Sequence, residues 1–302
     1  MRKNKILVIL GPTVSGKSDL AVELAKQFNG EIISADSRQV YKGLNIGSGK
    51  ITEKEMLGIS HYLLDVVQPW TVFTVAKFQR LAQQKIKEIL KKGKLPIICG
   101  GTGLYIKSIV DNVDFPKIKP NLKLRAELEK RSTVELLKIL QKLDLHKAKI
   151  IDANNSRRLI RAIEIATLLS AQSAKDLLLS PPSAKWRVLQ IGIKTDRDIL
   201  KERIERRFLK RIAQGIITEA KELHQVGLTY KRFSEIGLAH KYIVLYLQNK
   251  ISKEDFIKKS IQAEQKYAKR QMTWFKMDKR IKWFSLEEKQ KIKNTVSAFL
   301  KK

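Results

Sequence analysis

The first 115 residues switch between short unbroken apolar runs and longer stretches in which apolar residues recur with helical spacing. Lys5–Leu10 (KILVIL) reads as a buried parallel strand, and Asp19–Ala25 carries good helix formers with an apolar stripe at Leu20 and Leu24. Glu31–Ala35 and Leu95–Cys99 are two further short apolar runs, and Val75–Lys92 is helical in pattern. Strands alternating with helices predict a parallel sheet covered by helices. The pattern changes at Asp114–Pro120 (DFPKIKP), where two prolines sit in a loop-like stretch. From there to Pro181-Pro182 the periodicity is only helical, with helices predicted over Leu122–Lys130, Thr133–Leu143 and Ser156–Leu169. Arg187–Ile193 (RVLQIGI) is again a strand and is expected to return to the sheet before further helices. The expected organisation is an α/β core from residues 1–116 and 184–302, interrupted by an all-helical domain at 117–183. No internal repeat is present, and Leu300-Lys301-Lys302 is expected to fray.

Between the first strand and the first helix lies Gly11-Pro12-Thr13-Val14-Ser15-Gly16-Lys17-Ser18, a G-x-x-x-x-G-K-[ST] phosphate loop in the strand–loop–helix context it requires. Glycines let the backbone curl so that N–H groups converge on phosphate oxygens, Lys17 adds a point charge, and the Ser18 hydroxyl can ligate Mg2+. The expected fold is therefore a P-loop NTPase-like parallel sheet core. The loop does not name the reaction. A hydrolase or kinase of this class carries a second strand ending in Asp to hold Mg2+, whereas Leu95–Cys99 runs into Gly100-Gly101-Thr102-Gly103 without an acid. The strand-end acid near the loop is Asp36, which the parallel sheet places in the ligand crevice; a helix cap or a share in holding Mg2+ is the alternative. Gly47-Ser48-Gly49-Lys50 looks like a second phosphate loop but has Leu44 and Ile51 at two required positions, and reads as a turn.

Charge points to a polyanionic partner. Lys and Arg number 61 against 30 Asp and Glu, a formal charge of +31, and the pI is about 10.1; this is more basic than a small-metabolite enzyme needs and suits RNA. A general lysine bias would also raise the charge, and Lys85, Lys87, Lys91 and Lys92 read as a solvated helix face. The single cysteine, Cys99, cannot pair within the chain, and with no secretory leader pattern the expected setting is cytoplasmic. No run approaches the ~18 apolar residues of a membrane span, and one Cys with four His shows no zinc-ligand spacing.

Two basic helical segments can be read geometrically. At 100° per residue Arg157, Arg161 and Glu164 share one face while Leu159, Ile163 and Ala166 share the other, so the arginines are expected outward. They serve RNA phosphates or, in the case of Arg161, a surface pair with Glu164. Near the C-terminus Ile257, Ile261, Ala268, Met272 and Phe275 form an expected core stripe interrupted by Glu264, and Tyr267, Arg270 and Trp274 line up beside it. That second row suits stacking on RNA bases; it equally suits the core.

GPTVSGKS, SADSRQVYKGLNIGSGK, HYLLDVVQP, GGTGLYI, NSRRLIRAIE, RIERRF and YAKRQMTWF, in that order from about Lys5 to Trp283, resemble the tRNA dimethylallyltransferases, also called tRNA isopentenyltransferases. The resemblance implies that Gly11 to Ser18 hold the diphosphate of dimethylallyl diphosphate rather than ATP. The acceptor it implies is N6 of the adenosine immediately 3′ of the anticodon. Asp36 would then take the N6 proton, Thr13 and Arg207 would steady the diphosphate, and Ser18 would hold Mg2+. The tRNA anticodon stem-loop would meet Asp36, Ser37, Arg38, Gln39, Thr102, Arg125, Arg157, Arg158, Leu159, Ile160 and Arg161, with Lys50 near the active site and the enzyme a monomer. The chain departs from the family pattern at Arg211, where methionine is expected, at Leu238-Ala239-His240, and at Ser170-Ala171-Gln172, which lacks a usual glycine. A nucleotide kinase and an RNA-binding ATPase are the other classes compatible with the loop.

Overall fold

The computed structural model describes residues 4–116, 118, 120–168 and 185–301. Six parallel strands form one sheet in the order β3-β2-β4-β1-β5-β6: β1 Lys5–Leu10, β2 Gly30–Ser34, β3 His61–Tyr62, β4 Leu95–Gly100, β5 Arg187–Ile193 and β6 Lys282–Phe284. β1 is central, with Leu7 paired to Ile97 on one side and Leu189 on the other, so its apolar run is covered on both faces. Ile6, Val8 and Leu10 point into one core with Phe78, Tyr105 and Phe256. Leu7 and Ile9 point into the other, against Leu20 and Leu24 of helix α1 (Lys17–Gln27) and Ile292 and Val296 near the C-terminus. This alternation is the two-residue period of a strand buried on both sides. β3 and β6, of two and three residues, are additions to the predicted strands, too short to leave a pattern in sequence.

Because the strands are parallel, their carboxyl ends share one edge. The loops after β2, β4 and β1, three neighbouring strands, all open there, and they carry Asp36, Thr102 and the phosphate loop. The chain divides into two compact units, Met1–Asn112 with Ala184–Lys302, and Val113–Ser183, against expected boundaries at 116/117 and 183/184.

The second unit is helical among its described residues: Leu122–Leu128, Thr133–Leu143, Leu145–Ile150 and Ser156–Leu168. Its core is Leu128, Leu136, Leu140, Ala148, Leu159, Ile160, Ala162 and Ile163. Ser132 and Asn121 cap two of these helices by accepting backbone N–H bonds from Glu135 and Leu124. Ser170-Ala171-Gln172, Pro181-Pro182, the predicted last helical residue Leu169 and the terminal Lys302 lie outside the described residues. Leu300, expected to fray, lies in the helix Lys289–Lys301 and its carbonyl accepts a bond from Lys5 Nζ at 2.6 Å.

Candidate active site

The phosphate loop is drawn tight by its own chemistry. A Cβ on Gly11 would stand 2.9 Å from the Ile193 carbonyl and 2.9 Å from Ser15 Oγ, so only glycine fits where β1 leaves the sheet. Val14 and Gly16 have φ of +54° and +79°; left-handed residues turn successive N–H groups toward one centre, and the strain of a β-branched residue there is of the kind found at ligand sites. Lys17 opens helix α1 and its Nζ reaches back to the Pro12 carbonyl at 3.1 Å. Burial pushes its pKa down, against the raising effects of Cys99 and Asp36. Ser18, next on the helix, is exposed, and Ser15 Oγ is buried without a hydrogen-bond partner among the described residues.

Distant side chains close over this loop. Arg207, on the helix Arg197–Ala213, donates from Nη2 to Thr13 Oγ1 at 2.6 Å and to Glu264 Oε2 at 3.2 Å, while its Nε is buried and unpartnered among the described residues. Gln271 accepts from the Thr13 N–H at 3.0 Å and donates to the Gly101 carbonyl at 2.8 Å, tying the phosphate loop to the loop after β4. Glu264 and Gln271 both lie on the long helix Lys253–Lys276, whose buried row is Phe256, Ser260, Glu264, Ala268, Gln271 and Phe275. The row is offset from the expected stripe: Ile257 and Ile261 are only half-buried, as is Met272. Two of its three polar residues, Glu264 and Gln271, answer groups of the site. Sequence reasoning missed Gln271; its signal was a polar residue seven positions from Glu264, two helical turns along the same face.

Asp36 follows β2 and accepts at Oδ1 from the Arg38 N–H at 2.7 Å and, more weakly, from Gln39 N–H at 3.4 Å. The carboxylate thus caps a turn, where the alternative reading had a helix, while Oδ2 makes no hydrogen bond among the described residues. Thr102 Oγ1 accepts from the Ser37 N–H at 3.0 Å, and burial pushes the pKa of the nearby Tyr267 hydroxyl up. Gln39 donates to the Gly49 carbonyl at 3.2 Å. Asp36, Ser37, Arg38, Gln39 and Thr102 therefore form one braced patch beside the phosphate loop. Trp274 packs over Gly103, where a Cβ would meet its ring at 2.2 Å, and is a wall of the fold; Arg270 is exposed and lies 5.8 Å over the Tyr267 ring.

Gly47 to Lys50 forms a turn. The Asn45, Ile46 and Gly47 N–H groups, which a phosphate would need, all donate to Glu219 at 2.7–2.8 Å. Lys50 donates to the Tyr41 carbonyl at 3.1 Å and pairs with Asp65.

In the helical unit the expected RNA face divides. Glu164, placed outward by the helical wheel, is 0% exposed. It takes a bidentate grip from Arg125 at 3.0 and 2.8 Å, a short contact from Arg161, and the Asn121 N–H. Burial pushes the Glu164 carboxyl up, but Arg125 and Arg161 outweigh it and hold it at about 2. Arg161 also donates to the Ile118 carbonyl at 3.1 Å. Glu164 is thus an interior carboxylate, held by half-buried Arg161 of its own helix and covered by the helix Leu122–Leu128, whose Arg125 ties the two helices together. Leu159 and Ile160 are 0% and 5% exposed, and this corrects their place in the RNA face: they are core. Arg157 and Arg158 are exposed.

A family model described as IPP transferase matches residues 39–278. The tRNA dimethylallyltransferase of Thermoanaerobacter sp. (strain X514) is 41% identical over 94% of this chain and 92% of its own length. That of Clostridioides difficile (strain 630) is 38% identical over 100% and 99%. Among solved structures, the full-length tRNA isopentenylpyrophosphate transferase of Bacillus halodurans aligns with a TM-score of 0.74 at 35% identity, covering 99% of this chain and 97% of that one. A eukaryotic dimethylallyltransferase acting on tRNA aligns at 0.81 and 27% identity, covering 93% and 74%. With the phosphate loop, the Thr13–Arg207 contact and the Asp36 turn in place, these matches settle the family: the chain is a member of the tRNA dimethylallyltransferases.

Proposed function

We propose that this enzyme transfers a dimethylallyl group from dimethylallyl diphosphate to N6 of the adenosine immediately 3′ of the anticodon of tRNA, releasing diphosphate. The observation that carries the reading is Arg207 Nη2 on Thr13 Oγ1 at the phosphate loop, with the Asp36 carboxylate at the end of a strand on the same sheet edge. The N6 lone pair is delocalised into the ring, so the allylic C1–O bond must break easily. The loop N–H groups, Lys17 and Arg207 meet the charge that develops on the departing diphosphate, and preorganised donors of this sort usually supply most of the acceleration. The N6–C1 bond forms as the C1–O pair leaves with diphosphate, and the N6 proton passes to Asp36, whose Oδ2 makes no hydrogen bond among the described residues.

Mg2+ fits this site. It keeps several waters and needs only one or two protein oxygens beside phosphate oxygens. Ser18, exposed on the first turn of helix α1, and the unpartnered Ser15 hydroxyl offer those oxygens. Among the described residues no group of three His, Cys, Asp or Glu forms a separate cage. Bound there, the cation neutralises diphosphate charge. No helix among the described residues is long and apolar enough to cross a membrane.

RNA contact by the helical unit rests on Arg157 and Arg158. Replacing both with Ala is expected to flatten the slope of log K for tRNA against log salt by about one to two units, leaving the donor KM unchanged. Arg161→Ala is a different experiment, because it strips a partner from buried Glu164 and is expected to lower the melting temperature. An unchanged slope in the folded Arg157/Arg158 variant would move the RNA footprint elsewhere.

The reaction is tested by incubating purified protein with unmodified tRNA and dimethylallyl diphosphate without ATP, then digesting the tRNA to nucleosides. The expected product is an adenosine heavier by one C5H8 unit, from the position 3′ of the anticodon. Unmodified tRNA with a folded, diphosphate-binding enzyme contradicts the reading.

A further inference from the structure

Arg211 and His240, two of the positions at which this chain departs from the family pattern, meet around one loop. Arg211 is 4% exposed, and a buried guanidinium must have its donors answered. Nη1 pairs with Glu264 Oε1 at 2.6 Å, Nε donates to the Ile46 carbonyl at 2.8 Å, and Nη2 donates to the Gly47 carbonyl. Gly47 has room for nothing larger, since a Cβ would stand 2.7 Å from His240 Nε2 and 2.9 Å from Glu219 Oε1. His240 fills that space uncharged, its pKa pushed down to about 3 by burial and then by Arg211.

The other oxygen of Glu264 receives Arg207 Nη2, the same nitrogen that donates to Thr13. Two guanidinium groups thus share one buried carboxylate, one oxygen each. Burial raises the Glu264 pKa, and Arg211 followed by Arg207 more than offsets it, so the carboxylate stays ionised. At the far side, the loop held by Arg211 continues to Gly49, whose carbonyl takes Gln39 from the Asp36 turn. One line of contacts therefore runs from the phosphate loop through Arg207, Glu264 and Arg211 to the segment carrying the proposed base.

We infer that Arg211 is a positioning residue: by occupying one half of Glu264 it keeps Arg207 on Thr13 and available to a diphosphate, and it fastens the Ile46–Gly47 loop to the same carboxylate. Without Arg211, Glu264 faces a single cation. A bidentate grip on Arg207 then becomes the favoured geometry, since carboxylate and guanidinium match fork to fork, and Glu264 competes with the diphosphate for it. The inference rests on the reaction proposed above, but its first readout does not need that reaction.

Inorganic pyrophosphate binding is measured by calorimetry on the full-length protein and on Arg211→Met, Glu264→Gln and the double variant, with melting temperatures as a folding control. Arg211→Met is expected to weaken pyrophosphate about tenfold, and the double variant, with the competing charge gone, to recover to within about threefold of the parent, as coupled neighbours do. In single-turnover transfer the same pattern is expected in rate at saturating donor, with tRNA affinity unmoved. Arg211→Met with parental pyrophosphate affinity, or a folded double variant no tighter than Arg211→Met, overturns the inference. If Arg211→Met does not fold, Arg211→Lys and the double variant decide: both preserve the local charge balance and both are expected within about threefold of the parent, and a tenfold loss in both overturns it. A parent protein that binds pyrophosphate with this pattern but modifies no tRNA would contradict the proposed reaction while leaving the role of Arg211 intact.

Discussion

Asp36→Asn is expected to lower turnover by about 10²-fold or more while tRNA affinity stays within a few fold, because general-base transfer contributes about that much. The substitution is unusually clean here. Oδ1, which accepts the Arg38 N–H at 2.7 Å, is retained in asparagine, so the turn that carries Ser37, Arg38 and Gln39 keeps its cap. Only the second oxygen changes, from a proton acceptor to an amide donor. Asp36→Ala would remove both functions and confuse them. Single-turnover rates with saturating donor and tRNA, beside a binding isotherm for tRNA, separate the cases; near-parental turnover in Asp36→Asn would remove Asp36 from the chemistry and leave it a turn cap.

Lys17→Ala is expected to cost about 10²–10³ in turnover, the usual loss when one preorganised partner of developing charge is deleted. Its folded role is small, a bond to the Pro12 carbonyl, so the loop should survive. Burial disfavours the charged lysine in the free enzyme and a bound diphosphate restores it, which gives the effect a pH signature. Diphosphate binding needs the protonated amine, so affinity is full below the Lys17 pKa and falls as pH rises through it. Because that pKa is depressed, the alkaline limb begins below the ordinary lysine range. The limb is expected in the parent protein and absent in Lys17→Ala, measured as donor affinity against pH. An identical alkaline limb in both proteins would assign it to another group.

What was legible in the sequence was what is local. The phosphate loop is eight contiguous residues whose geometry follows from two glycines and a helix start, and Asp36 is placed by the rule that parallel strands share a carboxyl edge. Arg207 was reached only through family resemblance, since its 194-residue separation from Thr13 leaves no local trace. In sequence Glu264 reads only as an interruption of an apolar stripe and Gln271 leaves no mark in it, because the buried row of their helix mixes polar with apolar residues. Counting Ile257 and Ile261 rotated the predicted face by one position, away from the row that includes Ser260, Glu264 and Gln271. Glu164 failed for the complementary reason. On its own helix it belongs with Arg157 and Arg161 on a solvent face, and only the helix Leu122–Leu128, with Arg125 and the Asn121 N–H, makes it an interior charge. Tertiary contacts that join segments tens or hundreds of residues apart overrode a periodicity that sees only near neighbours.

The most direct test is stoichiometric transfer from carbon-labelled dimethylallyl diphosphate to tRNA with nucleoside triphosphates rigorously absent. The geometry of the site predicts that label becomes tRNA-bound as an equal amount of pyrophosphate is released, without any requirement for ATP. Label that stays in the small-molecule fraction while added ATP is consumed would contradict it and would make the loop that of a kinase or an ATPase.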